Sequence, residues 1–303
     1  MKDLLRRAEA AAVFLLSFPI SLLPCKAGEL LGLLLFWVWK SRREIAIDNI
    51  RRSPLPAAAS AGEIARENFR NYGRSFIEVV KVYHGLGKRI LDRTSITGLE
   101  HFRAALAKGK GVLLITGHCG NWELLAVAAS YRVTNISVVA RPLDNPYLNR
   151  LIERARARYG NRVISKKGAL REILSTFRKG GVVGILMDQA VLAEEGYIID
   201  FLGRGAWTTK MPALIARKTG VPVVPAFIRR KEGAHEIIIH PEVGLSAHRD
   251  REAALREDTK NFSAYIEEYI RQNPAEWLWM HQRWKRVPEG SMGCGESDAG
   301  STA

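Results

Sequence analysis

The chain has 303 residues, 47% of them hydrophobic, which is enough to build a buried core and argues against disorder except at the ends. Its formal net charge of +15, from 46 basic and 31 acidic side chains, favours anionic partners: a lipid headgroup surface, an acidic carrier protein or nucleic acid. Nothing further points to nucleic acid, since zinc-finger spacing, RNA-motif spacing and an interleaved aromatic platform are all missing. Cys25, Cys119 and Cys294 are odd in number and far apart, which argues against a disulfide framework or a structural zinc site.

Lys2, Arg6 and Arg7 precede an apolar stretch running from Ala10 to Trp39 that only Lys26 and Glu29 interrupt. It is longer than a signal peptide and lacks a small-residue cleavage site. We read 1–41 as a membrane segment. It is either one spanning helix, which needs about 20 apolar residues, or two short pieces broken at Pro19 and Pro24 that lie in or re-enter the membrane. Trp37 and Trp39 run into Lys40, Arg42 and Arg43, an interfacial pattern. A buried helical hairpin is the competing reading.

Residues 60–83 read as a helix, with Ile64, Phe69, Tyr72, Phe76 and Val80 at helical spacing and Arg66, Arg70, Arg74 and Lys81 between them. Apolar runs then alternate with amphipathic ones. Strands are predicted at 111–116 (GVLLIT), 136–140, 182–187, 223–228 and 236–240, and helices at 122–131, 145–159, 168–178, 210–219 and 251–272. This order predicts an α/β fold, a largely parallel mixed sheet flanked by helices, over 42–287. Residues 288–303, rich in Gly, Ser and Ala, read as a disordered tail.

The segment richest in chemistry is TGHCGNWELL, 116–125, which leaves a buried strand and opens a helix, where α/β sheets place ligands. Four residues separate His118 from Glu123. On a regular helix they would stand about 140° apart, so they meet only if His118 lies in the loop and Glu123 in the first turn. A neutral imidazole oriented by a carboxylate is a general base for a hydroxyl attacking a carbonyl. Backbone N–H groups near Gly120 and Asn121 are candidates for the oxyanion. There is no G-x-S-x-G elbow, so no acyl-enzyme is suggested. Cys119 adjoins His118, but neighbouring side chains on an extended segment point apart. His84, His101, His235, His240, His248 and His281 lack metal-ligand spacing. Trp277, Trp279 and Trp284 read as packing or interfacial anchors.

The string GHCGNWE resembles the H-x4-D/E motif of glycerolipid acyltransferases, and more specifically that of the bacterial lipid A biosynthesis acyltransferases. The match continues through ARPLDNPYLNRLIERAR, FRKGGVVGILMDQ, FLGRGAWTTKMPALIARKTGVPVVPAF and PAEWLWMHQRWK, covering about 42–286. The resemblance implies a catalytic His118–Glu123 pair, with Arg154 and Asp188 in the same site and Arg141 and Arg204 contacting phosphate on donor or acceptor. From the residues alone, Arg154 is equally a solvated charge on a basic helix, and Asp188 a cap for the turn after its strand.

The resemblance also implies an acyl carrier protein as thioester donor and, as acceptor, a lipid A precursor acylated on a hydroxyl of a chain it already carries. Donor and acceptor are both acidic. The expected setting is the bacterial inner membrane, with the site facing the cytoplasm and no metal or redox cofactor required. Lysophospholipid or glycolipid acylation from an acyl-CoA donor stays open, as does a basic, non-enzymatic adaptor for anionic lipids.

Overall fold

The computed structural model describes residues 1–56, 59–166 and 168–287. Three helices open it: α1 (Lys2–Leu22), α2 (Ala27–Val38) and α3 (Lys40–Arg51). Leu23, just before Pro24, is extended, as pre-proline residues prefer, and this ends α1. The long helix α4 (Ala61–Tyr83) starts with a capping box in which Ser60 and Glu63 satisfy each other's backbone N–H.

The remaining elements alternate: α5 (Lys88–Asp92), β1 (Ser95–Thr97), α6 (Leu99–Leu106), β2 (Val112–Thr116), α7 (Trp122–Arg132), β3 (Ile136–Ala140), α8 (Pro146–Ala157), β4 (Arg162–Ser165), α9 (Ala169–Arg178) and β5 (Val182–Leu186). An antiparallel pair, β6 (Gly196–Phe201) and β7 (Arg204–Thr209), comes next. Then follow α10 (Met211–Thr219), β8 (Val223–Lys231), β9 (Ala234–Ile239) and α11 (Arg251–Gln272).

Seven strands form one sheet in the order β1-β9-β8-β2-β5-β3-β4, parallel throughout except for the β8–β9 hairpin. The predicted α/β class therefore holds. The apolar run of β2 shows why the sheet needs helices on both faces. Leu113 and Ile115 point into a core with Phe177 of α9, Ile215 of α10 and Phe262 of α11. Val112 and Leu114 point into a second core with Phe102 of α6 and Leu124 of α7. Sequence patterning missed α3, α5, α6, β1, β4 and the β6–β7 ribbon. The ribbon turns on Leu202 and Gly203, both at positive φ, a geometry suited to a tight hairpin.

The predicted N-terminal segment is two helices that both pack on α4. Among the described residues no helix is long and apolar enough to cross a membrane, and the apolar stretch forms two helices where a single one was the first alternative. Glu29 explains part of this. It sits in the first turn of α2 and is paired with Arg70 and Arg74 of α4, which hold its carboxyl down at about 2. Many apolar side chains of α1 and α2 stay exposed, Leu5, Leu16, Leu30, Leu34 and Trp37 among them. The expected tail at 288–303 lies outside the described residues.

Helices α2 and α4 touch backbone to backbone. A Cβ on Gly73 would stand 1.8 Å from the Gly28 carbonyl oxygen, whereas one on Gly62, in the first turn of α4, would meet nothing within 4 Å. Gly73→Ala is expected to cost about 1–3 kcal/mol or more through overpacking, and Gly62→Ala to add a few tenths to about 1 kcal/mol through helix propensity. Thermal unfolding of the two variants checks the contrast; equal midpoints would mean that the α2–α4 contact is not formed.

Candidate active site

The site is built at the carboxyl ends of β2 and β5, which run parallel with Thr116 opposite Leu186. The two chains leave the sheet together, the Met187 N–H still donating to the Thr116 carbonyl at 3.1 Å. His118 and Asp188 each lie two residues beyond these paired ends, so the register itself brings them together. The Asp188 carboxylate accepts from the His118 backbone N–H at 2.8 Å and lies 2.7 Å from Nδ1 of the ring. It also accepts from the Trp277 indole at 2.7 Å. Asp188 is 1% exposed. Burial opposes its charge, but the imidazole, the backbone N–H and the indole outweigh burial and hold the carboxyl at about 2. With Nδ1–H donated to Asp188, Nε2 is the free acceptor on the groove side, 3.1 Å from the Gln189 amide nitrogen.

Trp277 arrives because 276–277 runs antiparallel to 119–120. Cys119 and Trp277 form a β-bridge, and the Gly120 N–H donates to the Glu276 carbonyl at 2.7 Å. Asn68 of α4 holds this strip through the carbonyls of Ala275 and Trp277. The three tryptophans do pack, as expected, and Trp277 has in addition a direct tie to the site that composition did not reveal. Cys119 is 1% exposed, and burial, first, with Asp188 and Glu276 near it, pushes its thiol well above the ordinary range, the opposite of an activated nucleophile.

Several expected positions are corrected by the geometry. Glu123 does not orient the imidazole. It faces α4 and α8, accepting from the Tyr83 hydroxyl at 2.6 Å and from Arg156 Nε at 2.6 Å. Arg154 lies on the α8 face turned to α1, around a cleft with Arg7, Phe14 and Tyr147. Arg156, two residues on and therefore round the helix, enters the groove of His118 instead. Arg204 stacks on the Trp284 ring at 3.4 Å and donates to the Asn49 carbonyl. Burial, and then Arg52, lower its guanidinium to about 10.

The Gly120 N–H is spent on Glu276, so it does not serve an oxyanion. The Asn121 side chain caps α7 through the Leu124 N–H and donates to Glu78. Both residues line a small polar cavity behind the loop, away from the groove. Arg141 stands at the groove rim, exposed and 3.6 Å from Asp144. His118, Glu123, Arg141, Arg156, Lys166 and Gln189 thus share one groove of about 1260 Å³.

The loop after His118 is anchored from behind. Glu78 of α4 pairs with Arg230 and His235, and though burial opposes its charge these two partners hold it at about 2. Nothing in the sequence signals this cluster, because Glu78 lies more than 150 residues from both Arg230 and His235. Among the described residues no group of three His, Cys, Asp or Glu side chains is arranged to hold a metal ion.

The family model described as bacterial lipid A biosynthesis acyltransferase matches residues 8–286. A lipid A biosynthesis acyltransferase of Haemophilus influenzae is 26% identical over 231 residues, 72% of this chain and 69% of the relative. A lipid A biosynthesis lauroyltransferase of Escherichia coli K12 is 27% identical over 269 residues, 86% of this chain and 84% of the relative. A phosphatidylinositol mannoside acyltransferase of Mycobacterium tuberculosis is 28% identical over 236 residues, 76% of this chain and 73% of the relative.

Because the Asp188 carboxyl is depressed on folding, its contribution to stability is present above the unfolded value near ~4 and is lost as pH falls through about 2. Trp277→Phe removes one donor. It is expected to raise the folded carboxyl value towards the unfolded one, so that the stability lost on acidification becomes smaller and is complete at higher pH, and to lower stability at neutral pH by about 1–3 kcal/mol. Unfolding midpoints between pH 2 and 7 check this; an acid limb unmoved in the variant would remove the indole from the site's electrostatics.

Proposed function

The chain belongs to the bacterial lipid A biosynthesis acyltransferase family, and from that premise we propose that it moves a fatty acyl group from a carrier-protein thioester to a hydroxyl of a lipid A precursor. That it is an acyltransferase follows from the family and from its named relatives. The observation that carries the finer reading is the His118 imidazole, gripped at Nδ1 by a buried carboxylate and with Nε2 on the groove. The acceptor hydroxyl displaces the Gln189 amide at Nε2 and gives its proton to the ring as its oxygen attacks the thioester carbonyl carbon. The C–S bond breaks, the proton passes from Nε2 to the departing thiolate, and an ester and a free thiol leave. Asp188 stabilises the transient imidazolium and fixes the tautomer, as a buried carboxylate does for a general-base histidine. Glu123 acts differently. With Tyr83 it holds Arg156 against the groove, where that cation, with Arg141 and Lys166, suits a phosphate.

Two surfaces support a lipid substrate. A narrow apolar pocket lies between the sheet and α7 and shares Trp122, Ala126, Val138 and Leu186 with the groove. Its lining suits a hydrocarbon chain beside the reacting thioester. The exposed apolar side chains of α1 and α2, bordered by Lys40, Arg42 and Arg43, suit the cytoplasmic face of the inner membrane, with both helices lying in the interface. A second reading, transfer to a phosphatidylinositol mannoside, rests on the Mycobacterium tuberculosis relative of that name.

Acyl transfer from labelled acyl carrier protein to a lipid A precursor and to a phosphatidylinositol mannoside separates these readings. Wild type is expected to acylate the former, and folded His118→Ala to lose about 10²–10⁴-fold; equal rates would remove His118 from the mechanism. Asp188→Asn takes away the charge that favours the imidazolium, so the acid limb of its kcat/KM profile is expected at lower pH, with that of Glu123→Gln unmoved. The reverse pattern would return the pairing to Glu123. Leu15→Glu/Leu16→Glu on α1 is expected to reduce co-sedimentation with anionic phospholipid vesicles while unfolding stays unchanged; undiminished sedimentation would refute the interfacial seat.

A further inference from the structure

Beside the His118 groove lies a larger groove of about 1480 Å³ that the reaction as derived does not use. Its floor is apolar, made by Leu170 of α9, Met211 and Leu214 of α10, and Leu255 of α11. Its rim is basic: Lys166, Lys210, Lys218 and Arg251. The acidic residues on its wall are Glu194 and Glu195, and Glu195 is spent on Lys166 at 3.4 Å. Arg217 also lines it but is held by Asp258 and Ser246. Lys218 and Arg251 are exposed and have no acidic partner among the described residues, nor has Lys210, which lies over the Tyr197 ring. The two grooves are continuous, for Lys166, Thr209 and Met211 line both.

An apolar trough with a mainly basic rim matches an amphipathic helix whose polar flanks are acidic. The apolar floor takes the helix's buried stripe, and the rim steers and registers the charges. We propose that this groove docks an acidic helix of the acyl-carrier donor, with Lys218 and Arg251 as its charge-reading residues, so that the carrier's thioester arm enters the His118 groove past Thr209 and Met211. The inference rests on the acyl-carrier reading above and adds to it where on the chain the carrier sits.

Two measurements on the full chain in detergent test it: Kd for acyl-free holo-acyl carrier protein by fluorescence anisotropy, and acyl transfer from both acyl carrier protein and acyl-pantetheine, which has the arm without the protein. Lys218→Glu/Arg251→Glu is expected to raise Kd and the KM for the acylated carrier about tenfold or more. It should leave kcat within about twofold and acyl-pantetheine transfer unchanged, and the wild-type Kd should weaken with salt. Arg178→Glu/Lys179→Glu makes the same charge change on exposed residues at the carboxyl end of α9 that do not line the groove, and is expected to alter none of these.

An unchanged Kd and KM in the Lys218/Arg251 pair, or an equal loss in the Arg178/Lys179 pair, overturns the proposal. If wild type prefers acyl-CoA, and the Lys218/Arg251 pair raises the KM for that donor, the groove is a nucleotide site and carrier docking falls. If wild type turns over no donor, the function reading fails by itself. The titration still decides the docking: carrier binding weakened by the Lys218/Arg251 pair upholds it, and no binding by wild type overturns it.

Discussion

The parallel register of β2 on β5 is the constraint from which the site follows. Thr116 opposite Leu186 means that each chain has two residues in which to leave the sheet before presenting His118 on one side and Asp188 on the other. The Asp188 carboxylate then takes three donors: the His118 backbone N–H, Nδ1 of its ring and the Trp277 indole. A buried carboxylate is costly unless its lone pairs are filled. Here the filling groups are the proposed general base, the backbone that positions it and the strip that closes the loop from behind. Slipping the register by one residue would turn these side chains to the opposite face of the sheet, so the site is as well defined as the core that fixes the register.

Helix α4 transmits that constraint to the rest of the chain. Its residues meet different neighbours turn by turn. Asn68 holds the carbonyls that position Trp277, Gly73 admits the backbone of α2, Glu78 anchors Asn121 and pairs with Arg230, and Tyr83 donates to Glu123. The N-terminal helices and the catalytic loop thus rest on opposite sides of one rigid element. Glu29, ion-paired to Arg70 and Arg74, seats the amino end of α2 on α4, while exposed leucines on α1 and α2 face away. The orientation of the apolar surface relative to the groove is therefore set by helix packing and does not depend on the loops.

What patterning along the chain reveals is local, and the misreadings fall where the contacts are distant. The buried strands and the helices between them were legible because apolar periodicity is a short-range signal. His118 is legible as a loop residue after a strand, but spacing along the chain points to Glu123, five positions on, whereas the register brings Asp188, seventy positions away, to the ring. Arg154 and Arg156 differ by two positions on one helix, and without knowing which face α8 turns to the groove the sequence does not choose between them. Arg204 sits next to Gly203 in a turn whose positive φ values fold β7 back on β6, which buries its guanidinium against Trp284. The N-terminal apolar run was read by composition, and composition does not show that Glu29 has two arginine partners.

The division of labour between the two carboxylates follows from their counter-charges. Glu123 has a permanent cation, Arg156, at 2.6 Å, and a phenol at the same distance. Its charge is already balanced in the resting site, so protonating His118 changes little at Glu123. Asp188 makes no hydrogen bond to Lys or Arg among the described residues; of its partners, only the imidazole can become charged. When the ring takes a proton, a buried lone anion becomes half of an ion pair, and in a water-poor setting that gain is large compared with the same change at the surface. In the proposed transfer the gain appears only as the hydroxyl gives up its proton, that is, in the transition state and not in the resting complex, which is where a catalytic interaction has to act. In the proposed mechanism Asp188 is thus the carboxylate coupled to the chemistry, and Glu123 the one that keeps a cation ready on the groove wall without drawing the imidazole away from its base role.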